Sequence, residues 1–277
     1  MSSLFSNVYK FKSVHNLYIV YVQGRRGCRH MRKEYGYFRE GNTDPKFSVV
    51  ICTYNDAEYL SNATESVINQ SKCNWELIIV NDGSSDDTLK ILEPLKIFPN
   101  IHVISLPQNK GKAFCLNIGL QAAKGTWLVE LDADDWLPKK ALEMLDNIVC
   151  EGVEAYYGNY VEWRENYSNK QLSFSRVIKG MPDFNATMYL ESAFPLAPRI
   201  YRMDTLRKIG GWYTKDIFES RMYEDVYILC AISKKGRLEH LDELLYHRRL
   251  RSRSVSAKGR KDLFEKWKEW VKEELSI

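Results

Sequence analysis

From Phe47 the chain alternates short apolar runs with amphipathic stretches. Phe47-Ser48-Val49-Val50-Ile51-Cys52-Thr53 is β-branched and almost continuously apolar, the pattern of a strand covered on both faces. Tyr59, Leu60, Ala63, Val67 and Ile68 then recur at helical spacing, which predicts a helix from Ala57 to about Asn69. The alternation repeats. Strands are expected at Trp75 to Val80, Ile101 to Leu106, Thr126 to Leu131 and Glu154 to Gly158. Helices are expected at Ser85 to Lys96, Gly111 to Lys124 and Pro138 to Val149, the last with proline in its first turn. Strand and helix exchanged this regularly predict βαβ units, and therefore a mostly parallel sheet with helices on both faces.

The pattern loosens at Asn159. Val161 to Ile178 mixes aromatic and alternating polar residues, as an antiparallel excursion would. Arg202 to Ile209 and Glu224 to Lys235 read as helices, Arg237 to Arg249 as extended, and Asp262 to Leu275 as a closing amphipathic helix. Trp163, Tyr189, Phe194 and Trp212 in this part are expected to pack in the core. Before Phe47 no period stands out; the segment is Tyr-rich and carries Arg25, Arg26, Arg29, Arg32 and Lys33. The expected organisation is an extension at 1–45, a sheet-forming unit at 46–256 and a terminal helix at 257–277. The unit divides into a nucleotide-facing half at 46–158 and a less regular, mixed half at 159–256.

Charge and cysteine content narrow the classes. Forty Lys and Arg against 36 Asp and Glu in 277 residues leave a formal charge of +4, too little for electrostatic nucleic-acid binding. Cys28, Cys52, Cys73, Cys115, Cys150 and Cys230 are scattered without zinc-ligand spacing, so reduced thiols and a cytoplasmic setting are expected. The run Leu17 to Val22 is far shorter than the roughly 20 residues of a spanning helix. Peripheral contact at the inner membrane face, through the basic extension and the terminal helix, is a weaker expectation than packing of that helix on the globule.

In an open parallel sheet ligands bind beyond the carboxyl ends of the strands. Those ends here read Thr53-Tyr54-Asn55-Asp56, Asn81-Asp82-Gly83-Ser84, Pro107 to Gly111, and Asp132-Ala133-Asp134-Asp135. Each alone is an ordinary turn or cap, and Asp135 could cap the following helix. Together they collect carboxylates on one edge, where mutual repulsion calls for a cation. Asp132 and Asp134 alternate along an extended segment and can offer oxygens to Mg²⁺ or Mn²⁺, ions that share their shell with phosphates. No dinucleotide fingerprint, P-loop or nucleophile elbow is present.

Ser48 to Asn55, Glu76 to Thr88, Asn109-Lys110-Gly111-Lys112 with Leu116 to Gly119, and Leu131 to Asp135 resemble, in order and spacing, the family 2 glycosyltransferases of the GT-A fold. Ile209 to Trp212, Glu224-Asp225 and Ser254-Val255-Ser256 extend the resemblance. It implies a GT-A-type, mostly parallel Rossmann-like sheet with a less regular acceptor-side half. It also implies inverting, Mg²⁺- or Mn²⁺-assisted transfer from a UDP- or dTDP-sugar to a hydroxyl on a glycan, lipid-linked or other acceptor. By motif position, Thr53, Tyr54 and Asn55 would border the nucleoside and Asp82 would meet the base edge. Lys112 would approach the nucleotide, Asp132 the ribose or metal, and Asp134 would be the main metal ligand. Asp225, beside Glu224, would be the general base.

Two positions depart from the resemblance: Ala231 stands where many relatives have Arg, and Arg251 where many have a metal-ligating His. His247 could replace that ligand, or Arg251 could bind the diphosphate directly together with Arg248, Arg249 or Arg253. The competing expectations are a nucleotidyltransferase on a similar sheet and a noncatalytic nucleotide-sugar-binding module.

Overall fold

The computed structural model describes residues 8–12, 18–22, 44–72, 74–192, 195–219, 221–251 and 261–277. The basic group at Arg25 to Lys33, Cys28, Cys73, Phe194, Arg253 and Ser254 to Ser256 lie outside them. Strands β1 (Val8–Lys12) and β2 (Tyr18–Val22) pair antiparallel, apart from the main sheet.

The apolar runs form the core strands: β3 (Phe47–Thr53), β4 (Trp75–Asn81), β5 (Ile101–Ser105) and β6 (Trp127–Asp132). All four are mutually parallel, with β3 between β4 and β6. Between them come α1 (Ala57–Ile68), α2 (Thr88–Leu92) and α3 (Lys112–Ala122), and α4 (Ala141–Ile148) follows β6. The α2 helix is shorter than the sequence pattern predicts, for two reasons. The Asp86 carboxylate accepts the Thr88 N–H and delays the start, and the segment Glu93–Ile97, with Pro94 in its first turn, tightens into 3₁₀.

The second half adds β7 (Val153–Glu165), β8 (Leu172–Ile178), β9 (Arg199–Arg202) and β10 (Arg237–Leu250). It also adds α5 (Ala186–Ser192), α6 (Met203–Lys208), α7 (Glu224–Ser233) and α8 (Lys261–Leu275). The sheet runs β10-β7-β9-β6-β3-β4-β5, with β8 on β7. Two features differ from the sequence reading. Strand β7 continues to Glu165 instead of ending at Gly158, because its far half is paired by both β8 and β10. Strand β9, absent from the expectations, lies antiparallel between β6 and β7. One sheet therefore runs through both expected halves.

Period-two alternation sorts the core. Phe47, Val49 and Ile51 of β3 face α1 and α4, packing with Leu60, Val67, Leu142 and Leu145. Val50 faces the other side with Leu116 and Leu120 of α3, Leu206 of α6, Ile228 of α7 and Trp267 of α8. Each of these fully buried side chains contributes about 1.5–3 kcal/mol. Trp267 is completely covered and donates through Nε1 to Asp216 Oδ2 at 3.1 Å. The apolar face of α8 is thus packed on the globule, as are Tyr189 and Trp212. Cys52, Cys115, Cys150 and Cys230 are free thiols. Among the described residues no helix is long and apolar enough to cross a membrane.

The approach of α3 to β3 depends on Gly119, where a Cβ would lie 2.5 Å from Val50 Cγ1. Gly119→Ala should cost about 1–2 kcal/mol in urea unfolding, the overpacking penalty offset by helix propensity. Combined with Val50→Ala it should cost less than the sum of the single changes. Additive costs would show that the two positions do not meet.

Candidate functional site

Four strand ends and the start of α7 converge at one edge of the sheet. In the β3–α1 turn Asn55 takes the left-handed conformation (φ 55°), which Asn tolerates. Its side-chain oxygen accepts the N–H groups of Ser85 and Asp86, and its own N–H donates to Ser84 Oγ. The turns after β3 and β4 are thereby stitched together. Thr53 is buried and its hydroxyl has no partner among the described residues, whereas Tyr54 is 47% exposed.

Asp82 is 4% exposed. Its two oxygens accept the backbone N–H of Lys110 (2.6 Å) and of Gly111 (2.9 Å), so its first task is to hold the β5–α3 loop. The loop comes so close that Gly83 (φ 70°) has no room for a side chain; a Cβ there would lie 2.6 Å from the Gln108 carbonyl carbon. This clamp delivers Lys112, the first residue of α3, to the carboxylates at the end of β6 and the start of α7.

Lys112 Nζ lies 2.5 Å from Asp132 Oδ1, 3.0 Å from Glu130 Oε1 and 3.1 Å from Glu224 Oε1. Burial opposes its charge, but Asp132, Glu130 and Glu224 outweigh burial and hold the ammonium well above the usual lysine range. A second cation, Arg199 on β9, is 6% exposed at its side chain. It places NH2 2.9 Å from Glu130 Oε1 and 3.2 Å from Asp132 Oδ2, and NH1 3.1 Å from Asp225 Oδ2. The approaches to Glu130 Oε1 are ionic, without hydrogen-bond alignment; Glu130 Oε2 accepts from the Tyr201 hydroxyl. Asp132 is pushed up by burial but pulled further down by Lys112 and Arg199, and ends well below the usual carboxylate range. Glu224 is raised, by burial first and then by Asp225 and Glu130, with Lys112 opposing.

Asp134 and Asp135 part company. Asp135 is buried, and it accepts the Tyr246 hydroxyl (2.8 Å) and the Arg249 N–H (2.7 Å). It therefore ties the β6 loop to β10 and does not cap α4. Burial, Asp134 and Asp132 raise its carboxyl well above the usual range. Asp134 is raised to about 6, chiefly by burial, with Arg251 pulling it down and Asp132 and Asp56 pushing it up. Arg251 Nε is 2.6 Å from Asp134 Oδ2 without being aimed at it, and NH1 donates to Asp56 Oδ1 at 2.8 Å. The guanidinium lies over the Tyr59 ring at 4.7 Å.

His247 is not placed to ligate a metal. Its Nδ1 accepts from Trp163 Nε1 (3.0 Å), its ring stacks on Trp136, and burial lowers its pKa. The neutral ring thus carries its proton on the other nitrogen. Arg248 and Arg249 are also engaged, with Glu162 and Glu165 respectively. Among the described residues no three His, Cys, Asp or Glu side chains form a ready metal cage. Ala231 is buried in α7.

The structure thus joins Asp82, Lys112, Asp132, Glu224 and Asp225 in one chain of contacts, with Asp134, Asp56 and Arg251 beside it and Thr53, Tyr54 and Asn55 at the neighbouring strand end. Sequence reasoning missed Glu130 and Arg199. Glu130 carried a legible signal, a charge in the middle of the apolar run Trp127-Leu128-Val129-Glu130-Leu131 that burial on both faces obliges to find a cation. Asp82→Asn leaves one oxygen for two amides. It should cost about 1–3 kcal/mol and speed amide hydrogen exchange at Lys110 and Gly111; unchanged exchange would mean that the loop is held by other contacts.

Comparison with known proteins places the chain in a family. The family model described as glycosyl transferase family 2 matches residues 48–210. An uncharacterized glycosyltransferase of Haemophilus influenzae is 40% identical over 116 residues, covering 39% of this chain and 36% of that protein. The hyaluronan synthase of Pasteurella multocida is 28% identical over 225 residues, covering 78% of this chain and 22% of the synthase. The chain therefore spans about a third or less of these two relatives. Among solved structures, S. aureus TarS 1-349 in complex with UDP-GlcNAc superposes with a TM-score of 0.59 at 21% identity, covering 83% of this chain and 65% of that one. The mannosyltransferase PcManGT of Pyrobaculum calidifontis, in complex with GDP-Man and Mn²⁺, gives 0.55 at 18% identity, covering 78% and 60%. With more than half of its length matched by the family model, the chain belongs to glycosyl transferase family 2.

Proposed function

We propose that the protein transfers a sugar from a nucleotide-diphospho-sugar, a UDP- or dTDP-sugar, to an acceptor hydroxyl with inversion, Asp225 acting as general base. The observation that carries this reading is the shared guanidinium: Arg199 bridges Asp132, at the end of β6, and Asp225, at the start of α7. A donor-side carboxylate and a proton acceptor therefore sit on opposite sides of one side chain. The TarS complex with UDP-GlcNAc supports a nucleotide-sugar donor. The Pasteurella synthase supports a glycan as one class of acceptor.

Exposed Tyr54 offers a ring for the base, and the unpartnered Thr53 hydroxyl and the remaining lone pairs of Asp82 offer polar contacts to the nucleoside. Glycosyl transfer builds negative charge on the departing diphosphate. Arg251, 26% exposed at its side chain, can meet a phosphate oxygen with the part of its fork not used by Asp56.

The donor set suits a hard divalent ion that takes one or two carboxylates and completes its shell with phosphates and water. Asp134, 18% exposed at its side chain and met by Arg251 at Oδ2, is the carboxylate that would hold it; Asp132 would contribute lone pairs left over from Lys112 and Arg199. Mg²⁺ or Mn²⁺ held there would supply positive charge to the leaving diphosphate. Asp225, with Oδ1 accepting the Val226 N–H and Oδ2 facing Arg199, presents its remaining lone pairs to the acceptor hydroxyl and takes its proton. A base working on the face away from the leaving group gives inversion.

A thermal-shift panel of UDP- and dTDP-sugars with Mn²⁺ should identify the donor. Asp225→Asn should then lower turnover by about 10²–10⁴-fold while leaving donor affinity within about threefold. Undiminished turnover would remove Asp225 from the mechanism, and a product with the donor's anomeric configuration would overturn inversion.

A further inference from the structure

We propose that Arg199 is a positioning residue for Asp225, a fixed fork on β9 that sets the carboxylate's orientation from the β6 side; this rests on Asp225 being the general base. Arg199 is tied to two other elements, β6 and α7. Its NH2 group faces Glu130 and Asp132, while NH1 faces Asp225 at 3.1 Å and the Leu196 carbonyl at 3.5 Å. Three carboxylates around one nearly inaccessible guanidinium form an arrangement in which the cation's plane cannot turn without abandoning a partner.

Asp225 is pinned in turn at both oxygens. Oδ1 accepts the Val226 N–H at 3.0 Å and Oδ2 meets Arg199, yet its side chain keeps 19% exposure. The carboxylate is therefore aimed while a lone pair remains open to a substrate. Glu224, next in chain, is held separately by Lys112. The two acidic residues opening α7 are thus anchored by different cations, and only Asp225 answers to Arg199. Behind the fork, Glu130 is 1% exposed and is fixed by the Tyr201 hydroxyl at 3.0 Å. The line of support runs Tyr201, Glu130, Arg199, Asp225. Lysine could keep the charge at position 199, but a point-like ammonium could not span NH1 and NH2 sites at once.

The test uses the full chain, the nucleotide sugar selected by thermal shift, and water as acceptor, with nucleotide diphosphate release as readout. Arg199→Lys should lower kcat by about tenfold or more and leave donor affinity by calorimetry within about threefold. In the Asp225→Asn background the same change should alter the residual rate by less than about twofold, because a residue acting through Asp225 has nothing left to act on. A merely structural role would slow both backgrounds equally, and that result would overturn the assignment, as would donor affinity falling in step with kcat. If Arg199→Lys does not fold, Arg199→Gln with Glu130→Gln removes the buried cation together with its buried partner and carries the same comparison. Full turnover by Asp225→Asn alone would overturn the base assignment itself, and this proposal with it. A low rate in Asp225→Asn, multiplied further by Arg199→Lys, would overturn only the role of Arg199.

Discussion

Four carboxylates and two cations share one partly buried cluster at the edge of the sheet, and the arrangement of the strand ends around it depends on their pairing. Glu130, Asp132, Glu224 and Asp225 cannot be buried as free charges; each is there because Lys112 or Arg199 meets it. Such ion pairs seldom add much net stability, since desolvation offsets most of their attraction. What they fix is geometry. Two more negative than positive charges remain, so the cluster leaves an attractive potential for a cation at the cleft beside it.

The division of labour among the acidic residues follows from backbone position. Side chains two apart on β6 share a face, which is why Glu130 and Asp132 meet the same two cations. Beyond the strand the chain turns, and the next two carboxylates separate: Asp134 goes to Arg251, which also holds Asp56, and Asp135 goes to Tyr246 and the β10 backbone. Consecutive aspartates of similar appearance thus do different work, one facing the cleft and one locking the loop. The Asp82 clamp on the β5–α3 loop belongs to the same logic, because Lys112 reaches the cluster only if Gly111 is held where it is.

Much of this was legible in the sequence, and the rest was hidden for physical reasons. The parallel strands β3, β4 and β6 are long apolar runs whose ends carry the polar motifs, so both the sheet and the edge where those motifs gather could be read. Strand β9 could not: Arg199-Ile200-Tyr201-Arg202 is four residues long with polar ends, and its pairing is settled by the open edges of β6 and β7. Arg199 was hidden with it. The true length of β7 was obscured because Asn159, Glu162 and Arg164 look like loop residues, yet Asn159 is satisfied by Asp242 and Glu162 by Arg176 and Arg248. His247 looked like a ligand by type, and only its bond from Trp163 shows that the needed nitrogen is taken.

The late arrival of β9 also constrains how the polypeptide can be made. Strands β6 and β7 are joined through a segment that leaves the ribosome more than thirty residues after β7 has ended. Until then both carry an unpaired edge, and Glu130 lies in a half-built core without Arg199 to offset it. The part of the sheet from β3 to β6 therefore keeps an open edge on β6 until β9 arrives. The seam between β6 and β7 closes only when Arg199 to Arg202 have been synthesised, so the last strand to enter this part of the sheet is the one that brings the buried cation.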